Sequence, residues 1–542
     1  MLKVGKKIWK RGDLFIWWTG AGLALSLIMT VALIFGIAIN ATLFFWPSEI
    51  QVISLKDGSH VLGMQMEREI IPNLQTATTG EADVHRIQIK RANRDIYDSD
   101  FIWIDEKDIK AIHVPDEVVA VERREWGYFF GYIKEVREGD KIIAQGTTES
   151  MKTILERLPD TKAINKQIQR IQKKEIGAVN YKMERVRLKL KKLALNENTA
   201  GVDKLKAGLP ALQDEYNVLE KKLTALRSAQ TSQVILKTIE GKEKALPLSQ
   251  VLDIYNPNQF SLLGKVGYFF NGIQKFIWDD PREANTEGGV FPAIFGTVLM
   301  VLIMSLMATP IGVIAAFYLR EYAKQGTMVS IVRIAVNNLA GVPSIVFGIF
   351  GVGFFIYTIG GSIDQLFFSE ALPTPTFGTG GILWASLTMA LLTVPVVIVS
   401  TEEGLAAVPK EIREASLALG ATRFETTWRV VLPSVMPSVL TGLILAMARA
   451  AGEVAPLMIT GVVKLAPSLP IDGLWPFIHL ERKFMHLGFH IYDVGFQSPN
   501  VDAARPMVFA TTLLLILMVI LLNMTAVYLR NRLRKQLTAS AV

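Results

Sequence analysis

Six long apolar stretches constrain this chain more than anything else in it: Leu14 to Ser48, Val290 to Leu319, Ile334 to Ile363, Ala371 to Thr401, Val430 to Ala448 continuing past Arg449 and Glu453 to Val463, and Pro506 to Leu529. A helix needs about 20 apolar residues to cross a bilayer, and each stretch is long enough. The first far exceeds the roughly 7 to 15 apolar residues of a secretory signal core, so it reads as a retained anchor. Half of the 542 residues are hydrophobic, yet 20% are charged, so the chain has both membrane and aqueous parts.

The net charge of +8 does not point to nucleic acid, because the basic residues gather beside the apolar stretches. Lys3, Lys6, Lys7, Lys10 and Arg11 precede the first, and Arg530, Arg532, Arg534 and Lys535 follow the sixth. By the positive-inside tendency both termini are cytoplasmic, as six spans require. Arg320, Lys324 and Arg333 then fall in a cytoplasmic loop, and Asp364 and Glu370 fall outside. The chain has no cysteine, which excludes disulfides and thiolate metal sites. No G-x-x-x-x-G-K-[ST] segment is present to cradle ATP phosphates, so energy from ATP must come from a partner.

Between the first two spans lies a hydrophilic region, residues 49–288, expected outside as a unit of its own. Ile50, Val52 and Ser54 alternate toward the turn Asp57-Gly58, and Arg86 to Lys90, Phe101 to Ile104 and Val234 to Lys237 read as further strands. From about Asp160 to Ser228 the period changes. Val179, Met183, Val186, Leu190 and Leu193 keep four-three spacing, as do Leu212, Tyr216, Leu219, Leu223 and Leu226. This predicts an antiparallel coiled-coil hairpin about 40 Å long, with Asn196 to Gly208 as the loop and Pro210 opening the second helix. Residues 289–530 carry the other five spans, and 531–542 form a cytoplasmic tail.

The loop at 402–433 carries the sharpest pattern. Lys410 to Leu419 puts Ile412, Ala415, Ser416 and Leu419 on one helical face, after Pro409 and before a Gly420 suited to a left-handed cap. Ala421 to Val431 predicts a second short helix with Phe424, Trp428 and Val431 on one side. By periodicity alone, the alternative is an amphipathic element resting on lipid headgroups. Glu414-Ala415-Ser416-Leu417-Ala418-Leu419-Gly420, followed nine residues later by Val430-Val431-Leu432-Pro433, resembles the E-A-A, three residues, G, nine residues, I-x-L-P signature of ABC importer permeases. Ser416 replaces Ala and Val430 replaces Ile. The resemblance implies that Glu414, Ala415, Ser416, Leu419, Gly420, Leu432 and Pro433 belong to a loop that docks into a separate cytoplasmic ATPase.

From Gly288 onward the resemblance narrows. Gly288 to Ala293, Asn338-Leu339-Ala340-Gly341-Val342-Pro343-Ser344 and Ala448-Arg449-Ala450-Ala451-Gly452-Glu453 are similar to the phosphate-specific importer permeases, most of all the PstA type. The resemblance covers about Glu287 to Lys535. It implies a mainly α fold, a six-helix transmembrane bundle of the type I ABC importer kind in the bacterial inner membrane, with no catalysis and no cofactor of its own. Implied partners are a homologous second permease, two copies of an ABC ATPase and a periplasmic phosphate-binding protein, with inorganic phosphate as cargo. The region 49–288 departs from the short form of that family, in which spans one and two are nearly contiguous.

Arg449 is a charge within a span, which usually faces a bundle interior or an aqueous path. Its planar fork suits tetrahedral oxyanions, but it lies one turn from Glu453 and could equally serve as that residue's ion-pair partner. Gly341, Pro343 and Ser344, with Asn338 before them, interrupt the third stretch, either as a packing kink or as a broken helix lining the path. His486, His490 and Asp493 imitate a metal site, but no fourth ligand is apparent and loop histidines beside Phe484, Phe489 and Tyr492 are expected at a membrane interface. The rival readings are a permease for sulfate, molybdate or phosphonate, and a membrane-anchored interaction or sensing protein that uses the coiled coil.

Overall fold

The computed structural model describes residues 13–70, 85–196, 202–498 and 501–539. The basic cluster from Lys3 to Arg11 lies outside the described residues. Among the described residues, six helices are long and apolar enough to cross a membrane: Phe15–Phe45, Phe291–Tyr322, Ser344–Phe367, Ile382–Ala407, Arg423–Gly452 and Ala504–Arg532. Three differ from the sequence expectation. The third starts at Ser344 rather than Ile334, because Pro343 has no N–H to continue a helix and the chain before it forms a separate helix, Thr327–Leu339. The fourth starts at Ile382 rather than Ala371, because the apolar run through Pro373, Pro375 and Gly378 cannot hold a helix. That run instead folds over Asp364, whose carboxylate accepts the backbone N–H groups of Phe377 and Gly378. The fifth starts earlier, at Arg423, and ends at Gly452 instead of continuing to Val463, because Glu453 is extended.

The fourth span is the centre of the bundle, with two thirds of its most apolar window buried, against none for the first. Met300, Met304 and Ala308 of the second span meet Ala385, Met389 and Leu392 of the fourth and Met447, Ala450 and Ala451 of the fifth in one core. Small residues allow the closest approach. A Cβ on Gly442 would lie 2.7 Å from that of Ser400, and one on Gly404 would lie 2.5 Å from that of Ser438. With no hydrophobic driving force between helices in lipid, such Gly-to-Ser contacts supply the packing that holds spans four and five together.

Among its described residues, the region between spans one and two contains two large antiparallel sheets and a short two-stranded ladder, Pro281–Arg282 against Glu287–Gly288. Strands β1 (Gln51–Leu55), β2 (His60–Ile70), β3 (His85–Lys90), β4 (Phe101–Asp105) and β5 (Ile109–His113) are ordered β4-β3-β2-β1-β5. The second sheet uses β6 (Val119–Arg123), β7 (Tyr128–Glu138), β8 (Lys141–Gln145), β9 (Ser232–Lys237), β10 (Glu243–Pro247) and β11 (Val251–Tyr255), ordered β10-β9-β7-β6-β11 with β8 also on β7. The helical arms leave from β8 and return into β9, both paired with β7. The hairpin is thus inserted within a sheet.

The outgoing arm begins at Thr147, earlier than Asp160, and runs through Pro159 and a π-turn at Ile171–Ile176 to Leu195. The return arm is Val202–Ser228, with Pro210 inside it rather than opening it. Val202, Leu205 and Leu209 extend the half-buried stripe upstream of Pro210, which explains the longer helix. Of the expected loop, residues 197–201 lie outside the described residues. Ile168, Ile171 and Leu223 form the seam, flanked by Ile164, Ile176, Leu219 and Leu226. The outgoing arm also touches the bundle: Tyr181 Oη donates to the Trp475 carbonyl at 3.0 Å, and Lys192 pairs with Glu370 at 3.4 Å.

Candidate functional site

The element between spans four and five is a helix, Lys410–Ala418, that stops at Leu419 and turns through Gly420 at φ +89°. That left-handed angle is the one a glycine adopts without Cβ strain. Thr422 then opens the next helix with a capping box: its hydroxyl accepts the Glu425 N–H at 3.2 Å, and the Glu425 carboxylate accepts the Thr422 N–H at 2.9 Å. The Thr-x-x-Glu signature was readable in the sequence and marks this start.

The second short helix is not a separate element. Arg423–Thr426 passes through a π-turn, Thr427–Val431, directly into Leu432–Gly452. Pro433 has no N–H to offer the Arg429 carbonyl, and the widened turn falls just where that bond is missing. Leu432 and Pro433 therefore sit in the shaft of the fifth span, half-buried, while Glu414, Ala415 and Leu419 are exposed. Leu419 is 89% exposed, and Phe424 and Trp428 stack at 6.3 Å with both rings open to the surface. Ser416 faces inward, its hydroxyl 2.9 Å from that of Thr426, so the expected face of Ile412, Ala415, Ser416 and Leu419 loses its serine to the hinge.

Arg413, which sequence reasoning passed over, fixes this element to the bundle. Its Nη1 donates to the Val408 carbonyl at 2.7 Å, and its Nη2 donates to the Leu405 carbonyl at 2.8 Å and to Glu321 at 2.9 Å. It thus caps the last carbonyls of span four and reaches the end of span two. At the same end of the bundle, Arg333 Nε donates to Glu402 at 3.1 Å.

Arg449 does not lie mid-span. It is in the last turn of Leu432–Gly452, and Glu453 lies just past the helix with extended backbone at ψ 136°. The two are 3.7 Å apart, an ion contact longer than a hydrogen bond, and about a third and a quarter exposed. The break before span three is complete. Pro343 is extended at ψ 133°, Ser344 begins the next helix, and Asn338 is exposed near the end of Thr327–Leu339. Leu339 and Val342 pack on the core that contains Ala450 and Ala451, but among the described residues no hydrogen bond or ion pair joins Asn338, Pro343 or Ser344 to Arg449 or Glu453.

The histidines are not at an interface. His486 and His490 are buried at the start of a helix, Leu487–Phe496, and burial lowers their pKa values to about 3 and about 4. Asp493, beside them, is held by Lys464 at 3.1 Å and by Asn285 at 3.4 Å.

The family of binding-protein-dependent transport system inner membrane components matches residues 308–535. The probable ABC transporter permease protein YqgI of Bacillus subtilis (strain 168) is 29% identical over 289 residues, 52% of this chain and 92% of the relative. The phosphate transport system permease protein PstA 1 of Mycobacterium tuberculosis (strain CDC 1551 / Oshkosh) is 37% identical over 185 residues, 34% of this chain and 54% of that protein. The phosphate transport system permease protein PstA of Yersinia pestis is 33% identical over 246 residues, 45% of this chain and 74% of that protein. Members of the family are membrane-embedded, not themselves catalytic, and work with a second permease and an ATPase. The paired helices around Gly420, the six spans and these similarities converge: this chain belongs to the binding-protein-dependent transport system inner membrane component family, the permease subunits of ABC transporters.

Proposed function

We infer that the chain is the PstA-like permease subunit of an ATP-driven phosphate importer. The observation that carries the reading is the 33% identity with a phosphate transport permease across 74% of that protein. In this reading a homologous second permease completes the path, two copies of a cytoplasmic ATPase supply the energy, and a periplasmic phosphate-binding protein delivers the anion. Both termini and the 402–433 loop are cytoplasmic, and residues 49–288 form a periplasmic domain with an antiparallel coiled-coil hairpin.

Closure of the ATPases pushes the exposed Ala415 and Leu419 face, and Arg413 carries the push to the ends of spans two and four. The direct run of Arg423–Gly452 into span five gives the same push a rigid route toward Arg449. Arg449, Glu453, Ser344, Pro343 and Asn338 are assigned to the translocation path. The partial exposure of Arg449 and Glu453 and the complete break at Pro343 support that assignment, since non-helical backbone at membrane depth is tolerated where it lines a cavity.

The test is uptake of radiolabelled phosphate, sulfate and molybdate in a strain whose own phosphate importers are deleted, with this permease supplied alongside its partner subunits. Phosphate uptake competed by unlabelled phosphate alone is expected. ATP-dependent uptake of sulfate or molybdate instead would keep the importer and remove the cargo assignment.

A further inference from the structure

The helix Leu262–Trp278, between the second sheet and span two, has two unlike faces. One is fastened to the sheet region: Lys275 Nζ donates to Asp253 at 2.6 Å and to Glu122 at 3.2 Å, and Tyr268 packs on Tyr255 at 4.5 Å. The other carries Leu263, Gly267, Phe270, Gln274 and Trp278 at helical spacing and is open, with Leu263 85%, Phe270 64% and Trp278 65% exposed.

Aromatic contacts fix the level of this helix. Phe45, at the end of span one, lies 6.2 Å from Phe269 and 5.4 Å from Phe276, and Trp46 lies 6.2 Å from Phe269. Trp278 stacks on Phe291, the first residue of span two, at 5.6 Å. The helix is therefore level with the ends of two spans at the boundary of the apolar layer. Span one, whose end packs against Phe269 and Phe276 of this helix, is unburied along its whole most apolar window.

We propose that the open face of Leu262–Trp278 is a lipid-binding surface, lying in the headgroup region of the leaflet on the side of the two-sheet insert and holding that insert at a fixed height on the bilayer. The side chains match that depth: Asn271 and Gln274 among the apolar residues suit headgroups rather than hydrocarbon, and a tryptophan at the helix end suits the same layer. An apolar patch of this kind on a water-facing surface would be an association hazard. The inference rests on the chain being membrane-embedded and not on the identity of its cargo.

The chain has no cysteine, so single nitroxide labels can be placed directly. Leu263→Cys, Phe270→Cys and Trp278→Cys are labelled in the assembled transporter in phosphatidylethanolamine–phosphatidylglycerol vesicles. Leu25→Cys on span one serves as the lipid control and Val218→Cys on the hairpin as the water control. Collisions with oxygen are expected to exceed those with a water-soluble nickel chelate at the three positions, as at position 25 and opposite to position 218. Preference for the nickel chelate at these positions would overturn the proposal by placing the face in water. Low access to both reagents would overturn it as well, by placing a protein subunit there.

Discussion

Arg413 and Glu321 form an ion pair at 2.9 Å that joins the helix after span four to the end of span two. The same guanidinium holds two carbonyls at the end of span four, so one side chain ties three segments. Hydrogen bonds to a charged group contribute about 1.5 to 3 kcal/mol each without being additive, so Arg413→Ala is expected to destabilise this end of the bundle by about 2 to 4 kcal/mol. Thermal unfolding in detergent measures that loss. Transport should fall more than ATP hydrolysis, because the Ala415 and Leu419 face would move without moving the spans. An Arg413→Ala protein with normal transport per ATP would show that the anchor is not part of coupling.

Gly420 gives a cleaner separation of backbone from packing. Nothing lies within 4 Å of a Cβ built there, so Gly420→Val costs no clash, only the left-handed angle. That conformation costs an L-residue roughly 1 to 2 kcal/mol, more for a β-branched one. Gly420→Asn should cost less, since Asn tolerates the same region. Gly420→Val is expected to reach the membrane at normal levels and to hydrolyse ATP without matching transport, with Gly420→Asn near normal. Equal loss in both variants would point to a role for the bare backbone in contacting a partner.

Local patterns told more than long-range partners. The six spans and the left-handed turn at Gly420 were legible because each follows from spacing or from one residue's allowed conformations. The Thr422 and Glu425 capping box was legible in principle from its Thr-x-x-Glu spacing, but it is polar and apolar periodicity does not reveal it. Where apolarity alone was read as one continuous span, at residues 340–343 and 371–381, proline and glycine chemistry decided otherwise. Arg413 could not be singled out because its carboxylate partner is 92 residues away, and a basic residue on a short loop helix looks like a solvated charge. His486 and His490 are buried beside Asp493, which Asn285 and Lys464 hold from distant segments, an arrangement no local pattern announces.

Those histidines set an acid limit. Burial holds their folded pKa values at about 3 and about 4, below the ordinary 6.5 of the unfolded chain, with Asp493 raising and Lys464 lowering that of His490. Below pH 6.5 the unfolded state therefore binds more protons than the folded one. Stability is full above pH 6.5 and is lost as pH falls toward about 4, at about 1.4 kcal/mol per pH unit for each group. Among the described residues both ring nitrogens of His490 lack hydrogen-bond partners, so His490→Leu should keep the fold and roughly halve the acid slope. Thermal melts of both proteins between pH 7 and pH 4.5 measure this, and unchanged slopes would mean that these histidines do not control acid stability.

Arg449 remains the residue on which the path assignment turns. It is in the final turn of span five, 3.7 Å from Glu453, and a pair this long and this exposed adds little stability of its own. Were the pair only structural, removing both charges would be harmless or mildly favourable, since two neutral side chains are easier to hold in lipid than one lone charge. Were Arg449 to meet the anion, its forked donors would be missed whatever stands at position 453. The double variant Arg449→Gln with Glu453→Gln is therefore expected to transport phosphate at least tenfold more slowly than wild type at matched membrane levels, with a normal melting temperature. Glu453→Gln alone should be impaired less, because it leaves the guanidinium free for the anion. Full transport in the double variant would make the pair structural and remove Arg449 from the path.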